Sequence, residues 1–91
     1  MSIKPEFEEE FLAMSRAFTE QVYASEPGAL LYVLTKHPTR EHTYVWVERY
    51  RDAVAAERHR DSSYMAEVRP KLREYVDGPP ELLRLEQVVP R

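Results

Sequence analysis

Residues 29–50 read ALLYVLTKHPTREHTYVWVERY. Two runs in it, Ala29–Lys36 and Thr43–Tyr50, are rich in β-branched and aromatic side chains, and the connection between them, HPTREH, is polar and contains a proline. That combination predicts an antiparallel hairpin. Both sides of each run are apolar: Leu30, Tyr32 and Leu34 alternate with Leu31 and Val33, and Tyr44 and Trp46 alternate with Val45 and Val47. A sheet that is greasy on both faces has to be covered on both, and this sets what the rest of the chain must supply.

Upstream, Phe7, Phe11, Met14 or Ala17, Phe18 and Val22 recur with a helical period. Pro5 suits the first position of that helix because its ring already fixes φ, and Glu6, Glu8, Glu9 and Glu10 sit in the opening turns, where the helix dipole favours negative charge. The stretch SEPG, Ser25–Gly28, ends it, since the residue before a proline avoids the helical region. Downstream, Asp52 is a good N-cap for AVAAERHR, and Ser62 or Ser63 restarts a helix through Met65, Val68, Leu72, Tyr75 and Val76. Pro70 lies inside that pattern and is expected to kink the helix or divide it. DGPP, Asp77–Pro80, is a stop, after which ELLRLEQVV, Glu81–Val89, reads as a last strand.

The order helix, strand, strand, helix, strand, with a short extended stub in front, predicts a single α+β domain over residues 1–91: a ferredoxin-like split βαββαβ fold with a shortened or missing first strand. Two helices cover only one face of such a sheet. The simplest cover for the other is a second copy, sheet against sheet, in an isologous homodimer.

Composition narrows the function. A chain of 91 residues buries only about 60–65% of its unfolded surface, so its core is thin. With no cysteine, disulfide staples, thiolate nucleophiles and cysteine-based metal sites are all excluded. The formal charge of -3, with both signs interspersed, gives no basic footprint for nucleic acid. No apolar run approaches the roughly 20 residues of a membrane span, and the N-terminus lacks the pattern of a secretory signal, so the expected compartment is the cytoplasm.

His59 stands in RYRDAVAAERHRDSSYM, Arg49–Met65, and an imidazole suits the work of a general base near neutral pH. Tyr32, Trp46, Tyr50 and Tyr64 offer rings and donors to line a pocket for a planar ligand. Glu48, alternating with Trp46 and Tyr50, is expected to be partly buried and to act as a base or as an anchor for an ion pair or hydrogen bond. Each residue also has a structural use: His59 as a cap, the aromatics as core or seam. His37 and His42 lie in the hairpin connection without neighbours at metal-ligand spacing, so no metal site is expected.

Three stretches, EPGALLYV (Glu26–Val33), VWVERYRDAVAAERHRDSSYM (Val45–Met65) and DGPPELLRLEQV (Asp77–Val88), resemble the antibiotic biosynthesis monooxygenase family, over nearly the whole chain from Ile3 to Val89. The resemblance implies a dimeric α+β barrel and a cofactor-independent monooxygenase acting on a small phenolic or quinol substrate. Because the superfamily also holds haem-degrading enzymes, isomerases and members without assigned activity, the alternative is a non-catalytic small-ligand-binding or regulatory barrel. The family's Glu-x-aromatic pattern falls on Glu48 and Tyr50. Its His-x-x-Ser-x-His/Tyr stretch falls on His59, Ser62 and Tyr64, with tyrosine where many members carry a second histidine. The iron-ligating histidine of haem-degrading relatives aligns with Arg69, which cannot ligate iron, so no haem, metal or flavin is implied. Relatives begin with a full strand before the Lys-Pro that opens the first helix. Here only Met1–Ile3 precede it, which implies a vestigial strand over Ser2–Lys4 in a chain whose native beginning lies upstream.

Overall fold

The computed structural model describes residues 1–89. A single 3-10 turn, Pro5–Phe7, leads into α1 (Glu8–Ser25); β1 (Ala29–Lys36) and β2 (Tyr44–Tyr50) follow, then α2 (Ala53–Arg60) and α3 (Ser63–Tyr75). The hairpin forms as its residue pattern dictates. β1 and β2 pair antiparallel from Lys36 opposite Tyr44 to Ala29 opposite Tyr50, with one irregularity between Ala29 and Leu31. Ahead of the helices, Ser2 bridges Thr43 and Ile3 bridges Val76, both antiparallel. The vestigial first strand is therefore present, and it sits where a ferredoxin-like sheet needs it, between β2 and the segment after α3.

α1 places Phe11, Ser15, Phe18 and Val22 on its buried face, one stripe at helical spacing. The stripe divides the core in two. Phe11 meets Ile3, Tyr44 and Tyr75 at one end, and Phe18 with Val22 meets Ala29 and Tyr32 at the other. Each fully buried side chain of this size is worth roughly 1.5–3 kcal/mol against exposure, which is how so small a domain holds a fixed shape. Ser15 lies between the halves, and its buried hydroxyl has no hydrogen-bond partner among the described residues.

Asp52 caps α2 by accepting from the Ala55 N–H at 2.8 Å. Ser62 caps α3 by accepting from the Met65 N–H at 3.2 Å while its own hydroxyl donates to the His59 carbonyl at 2.9 Å. The break between the two helices thus falls at Asp61–Ser62 and not at Pro70, which lies inside an uninterrupted α3. Pro70 and Ala66, whose carbonyl loses its helical partner to the proline ring, are both exposed, so water can serve that carbonyl. Gly28 lets α2 come close: a Cβ there would stand 2.5 Å from the Ala55 Cβ.

The expected last strand is the main departure. Val76 makes its one bridge, the Asp77 N–H donates to the Ser2 carbonyl at 2.8 Å, and then Gly78, at φ 97°, and two prolines turn the chain away. Residues 81–89 run without a place in either β-ladder and are exposed throughout. No helix among the described residues is long and apolar enough to cross a membrane.

Candidate functional site

The two loops that end α1 and α2 bring three polar side chains together. Glu26 is the C-cap of α1, held by its N–H donating to the Val22 carbonyl at 2.8 Å; His59 lies in the last turn of α2 and Tyr64 in the first turn of α3. The Glu26 carboxylate lies 3.0 Å (Oε2) and 3.2 Å (Oε1) from His59 Nδ1, and Oε2 also accepts from the Tyr64 hydroxyl. The His59 side chain is 5% exposed and that of Glu26 11%. An ionised carboxylate only accepts, so Nδ1 carries the proton, and in the neutral ring the free lone pair is on Nε2. The ring is clamped by Tyr32 at 5.0 Å, Tyr50 at 5.5 Å and Phe18 at 5.9 Å, the last nearly perpendicular.

On the other side of Tyr32 and Phe18 lies a cavity of about 130 Å³. Met14 and Phe18 of α1 form one wall, Met65, Val68 and Leu72 of α3 a second, and Tyr32, Trp46 and Glu48 of the sheet the floor, with Met1 at the end. Tyr32 and Trp46 pack 4.9 Å apart. The lining side chains are apolar except for those of Tyr32, Trp46 and Glu48, which carry polar groups, and the Glu48 carboxylate accepts from the Tyr50 hydroxyl at 2.6 Å.

The phenols around this site are held in their donor form. Desolvation raises Tyr32 well above the ordinary tyrosine range, with the charges of Glu48 and Glu26 adding to it. Desolvation likewise raises Tyr50, reinforced by its hydrogen bond to Glu48. Tyr64 is pushed up to about 12 by desolvation and then by its bond to Glu26.

Of the residues singled out in the sequence, the structure puts Tyr32, Trp46 and Glu48 on the cavity and Tyr50 directly behind Glu48. Glu48 is exposed, where partial burial was expected, and its carboxylate accepts a hydrogen bond from the Tyr50 hydroxyl. His59 and Tyr64 do not line the cavity; both are committed to Glu26. Glu26 is the member that residue patterns missed. SEPG reads as a helix stop, and only the fold shows that its carboxylate meets a histidine 33 residues later.

A second cluster occupies the opposite end of α1. Glu8 Oε2 accepts from Tyr44 at 2.8 Å and lies 3.1 Å from His42 Nδ1. The fold gives His42 an acidic partner 34 residues away, which residue spacing does not reveal. The groove beside it, about 350 Å³, is lined by Glu8 and residues 36–42, a loop wall bearing charges of both signs. Among the described residues no group of three or more histidines and carboxylates could hold a metal ion. Arg69 donates its guanidinium to the Arg60 carbonyl and so ties α3 to α2.

Among known proteins the chain is similar to a Synechocystis protein, sll1783, at 30% identity over 91% of this chain and 51% of that protein, so it spans about half the length of that relative. It is similar to the Bacillus subtilis protein named "Putative monooxygenase YcnE" at 28% identity over 94% of this chain and 90% of that one. A crystal structure from Caulobacter crescentus, described as a "putative antibiotic biosynthesis monooxygenase", superposes with a TM-score of 0.93 at 27% identity, covering 97% of this chain and 83% of that one. A structure of the same description from Deinococcus radiodurans, 14% identical, shares the fold with a TM-score of 0.75 over 94% of this chain and 92% of that one. The profile of the antibiotic biosynthesis monooxygenases matches residues 1–71, which takes in the vestigial strand, the hairpin, His59 and most of α3. The chain belongs to the antibiotic biosynthesis monooxygenase family.

Proposed function

We propose that this chain is a monooxygenase that binds a single-ring phenol or hydroquinone in the cavity between α1, α3 and the sheet. The observation that carries this is the pairing of an apolar, aromatic-walled cavity with one carboxylate, Glu48, on its wall. Size supports that substrate class. A cavity near 130 Å³ is comparable to the roughly 150 Å³ that accepts a benzene ring and well below the 300 Å³ or more of larger ligand pockets. Trp46 and Tyr32 offer faces to stack on, while the Met14 and Met65 thioethers fit the ring edge.

In this proposal Glu48 is the catalytic residue, accepting the substrate hydroxyl proton while the Tyr50 hydroxyl holds the carboxylate in place. Electron density released into the ring makes it reactive toward dioxygen. One oxygen atom enters the ring and the other leaves as water, so that a hydroquinone leaves as a hydroxyquinone and a phenol as a quinone, with every electron coming from the substrate. His59 is a positioning residue: Glu26 fixes its tautomer, and its ring backs Tyr32 and Tyr50 from behind.

The proposed assembly is a homodimer, in keeping with a family whose members are typically dimeric. Leu31, Val45 and Val47 on the helix-free face are 37%, 47% and 41% exposed in one copy, an apolar face that a second copy would cover.

Oxygen consumption with substituted hydroquinones, measured beside Glu48→Gln and His59→Ala, tests the assignment. Uptake by the wild type, abolished in a folded Glu48→Gln and reduced with an altered pH profile in His59→Ala, is the expected result. A hydroquinone that binds without any oxygen uptake by the wild type would overturn it in favour of a non-catalytic ligand-binding barrel.

A further inference from the structure

All three methionines of this chain, Met1, Met14 and Met65, lie on the wall of the cavity between α1, α3 and the sheet. Met1 and Met14 pack against the half of the core that holds Phe11, and Met65 against the half that holds Phe18. A flexible thioether commonly serves to fill an irregular gap in a core. Here the gap stays open at about 130 Å³ with the methionines around it, and all three are half-buried, within reach of small solutes. We infer that Met14 and Met65 are a site of oxidative modification: a peroxide converts their thioethers to sulfoxides, and the sulfoxides close the cavity to aromatic ligands.

The oxidant is a hydroperoxide, hydrogen peroxide in the simplest case. The sulfur lone pair attacks one peroxide oxygen, an S–O bond forms as the O–O bond breaks, and the sulfur is oxidised by two electrons. The other oxygen leaves as water, taking the proton that the transferred oxygen gives up. The product is the reversible rung of methionine oxidation, which methionine sulfoxide reductases return to the thioether. Each sulfoxide sets a strong acceptor dipole beside Phe18, Val68 and Leu72, and an aromatic ring entering there strips that dipole of water without offering it a partner. Two added oxygen atoms also take up room in a space about the size of one benzene ring. Because that space is empty, the oxygens enter it without being forced into packed neighbours, and the fold persists. For its ligand and its local oxidant the inference rests on the proposed function. A hydroquinone in the cavity that passes two electrons and two protons to dioxygen, without taking up oxygen, leaves as a quinone and yields hydrogen peroxide beside the two thioethers. Uncoupled turnover then shuts its own site.

Hydrogen peroxide added to the folded chain tests this directly, with four readouts. Peptide mass mapping locates the added oxygen, circular dichroism follows the fold, and titration gives the affinity for phenol. The fourth is the emission of Trp46, the chain's single tryptophan, which stands on the same cavity wall. The expected result is a folded chain with one oxygen added to each of Met14 and Met65, Trp46 emission moved to longer wavelength, and phenol bound at least about 10-fold more weakly. Met14→Leu combined with Met65→Leu, a volume-conserving exchange, should show the same emission and the same phenol affinity before and after peroxide, whatever their starting values. Thioethers that oxidise in urea but not in the folded chain would overturn the inference, and so would a chain that unfolds on oxidation. A folded chain carrying both sulfoxides with unchanged emission and unchanged phenol affinity would overturn the closure, and an equal loss of affinity in the leucine variant would overturn its assignment to Met14 and Met65. Failure of the proposed function shows separately: a wild type that binds no phenol before peroxide sinks the ligand class, while mass mapping and Trp46 emission still decide the modification.

Discussion

Glutamate, histidine and tyrosine meet twice in this domain, once at each end of α1, with the same atoms in the same roles. At the C-terminal end Glu26 accepts from His59 and Tyr64; at the N-terminal end Glu8 accepts from Tyr44 beside His42. Their surroundings differ. The His59 side chain is 5% exposed and ringed by Phe18, Tyr32 and Tyr50, while that of His42 is 37% exposed at the edge of an open groove. Low local dielectric raises both the strength of a satisfied network and the cost of a broken one. The buried cluster can therefore fix the orientation of rings that form the cavity, whereas the open one fastens the hairpin connection to the helix.

Glu26→Ala is the largest test of that difference. It leaves the His59 Nδ1–H and the Tyr64 hydroxyl without their acceptor in a site water reaches poorly, and should cost about 2–4 kcal/mol in urea unfolding, a large share of the roughly 5–15 kcal/mol such domains possess. Glu8→Ala should cost clearly less, because water can take the place of the carboxylate. Equal losses would mean that burial is not what separates the two clusters.

A second test reaches the buried cluster without touching its members. The Cβ added by Gly28→Ala would meet the Ala55 Cβ at 2.5 Å, and since both are anchored, α2 has to shift, carrying His59 away from Glu26. The expected loss is about 1–3 kcal/mol. In NMR spectra the His59 ring resonances should move while those of His42, at the far end of α1, stay in place; resonances that stay fixed at both would show that α2 yields without disturbing the pair.

The comparison also explains what could be read from residues alone. Hairpin, helices and caps are local, and their signals lie within a few positions: alternation in ALLYVLTK and YVWVERY, Asp52 before AVAAERHR, Ser62 before SYMAEV. Both clusters are products of closure, joining positions 33 and 34 residues apart, and no periodicity announces them. Pro70 misled for a different reason. Its ring faces solvent, where a lost helical bond is replaced by water, so the helix tolerates it. The last strand misled too: by composition ELLRLEQVV reads as a strand, but after the single bridge of Val76 the chain turns away at Gly78 and two prolines, and residues 81–89 enter neither ladder.

The smallest effect is one of pH, and it belongs to the open cluster. The hydrogen bonds from Tyr44 and then His42 hold the Glu8 carboxyl below its ordinary value of 4.5. A carboxyl whose pKa is lower folded than unfolded contributes stability above its unfolded pKa and loses it as pH falls through the folded one. Glu8→Gln keeps an acceptor for the Tyr44 hydroxyl but carries no charge, so it lacks this dependence. Urea midpoints of wild type and variant should differ at pH 6 and converge as the pH drops below about 4, the gap closing on the acid side only. Added salt should shrink the gap at pH 6 as well, because the pair is open to water and its charge is screened. A difference that persisted unchanged at pH 3 would mean that Glu8 acts through shape and hydrogen bonding alone, which would leave the two ends of α1 distinguished by depth but not by charge.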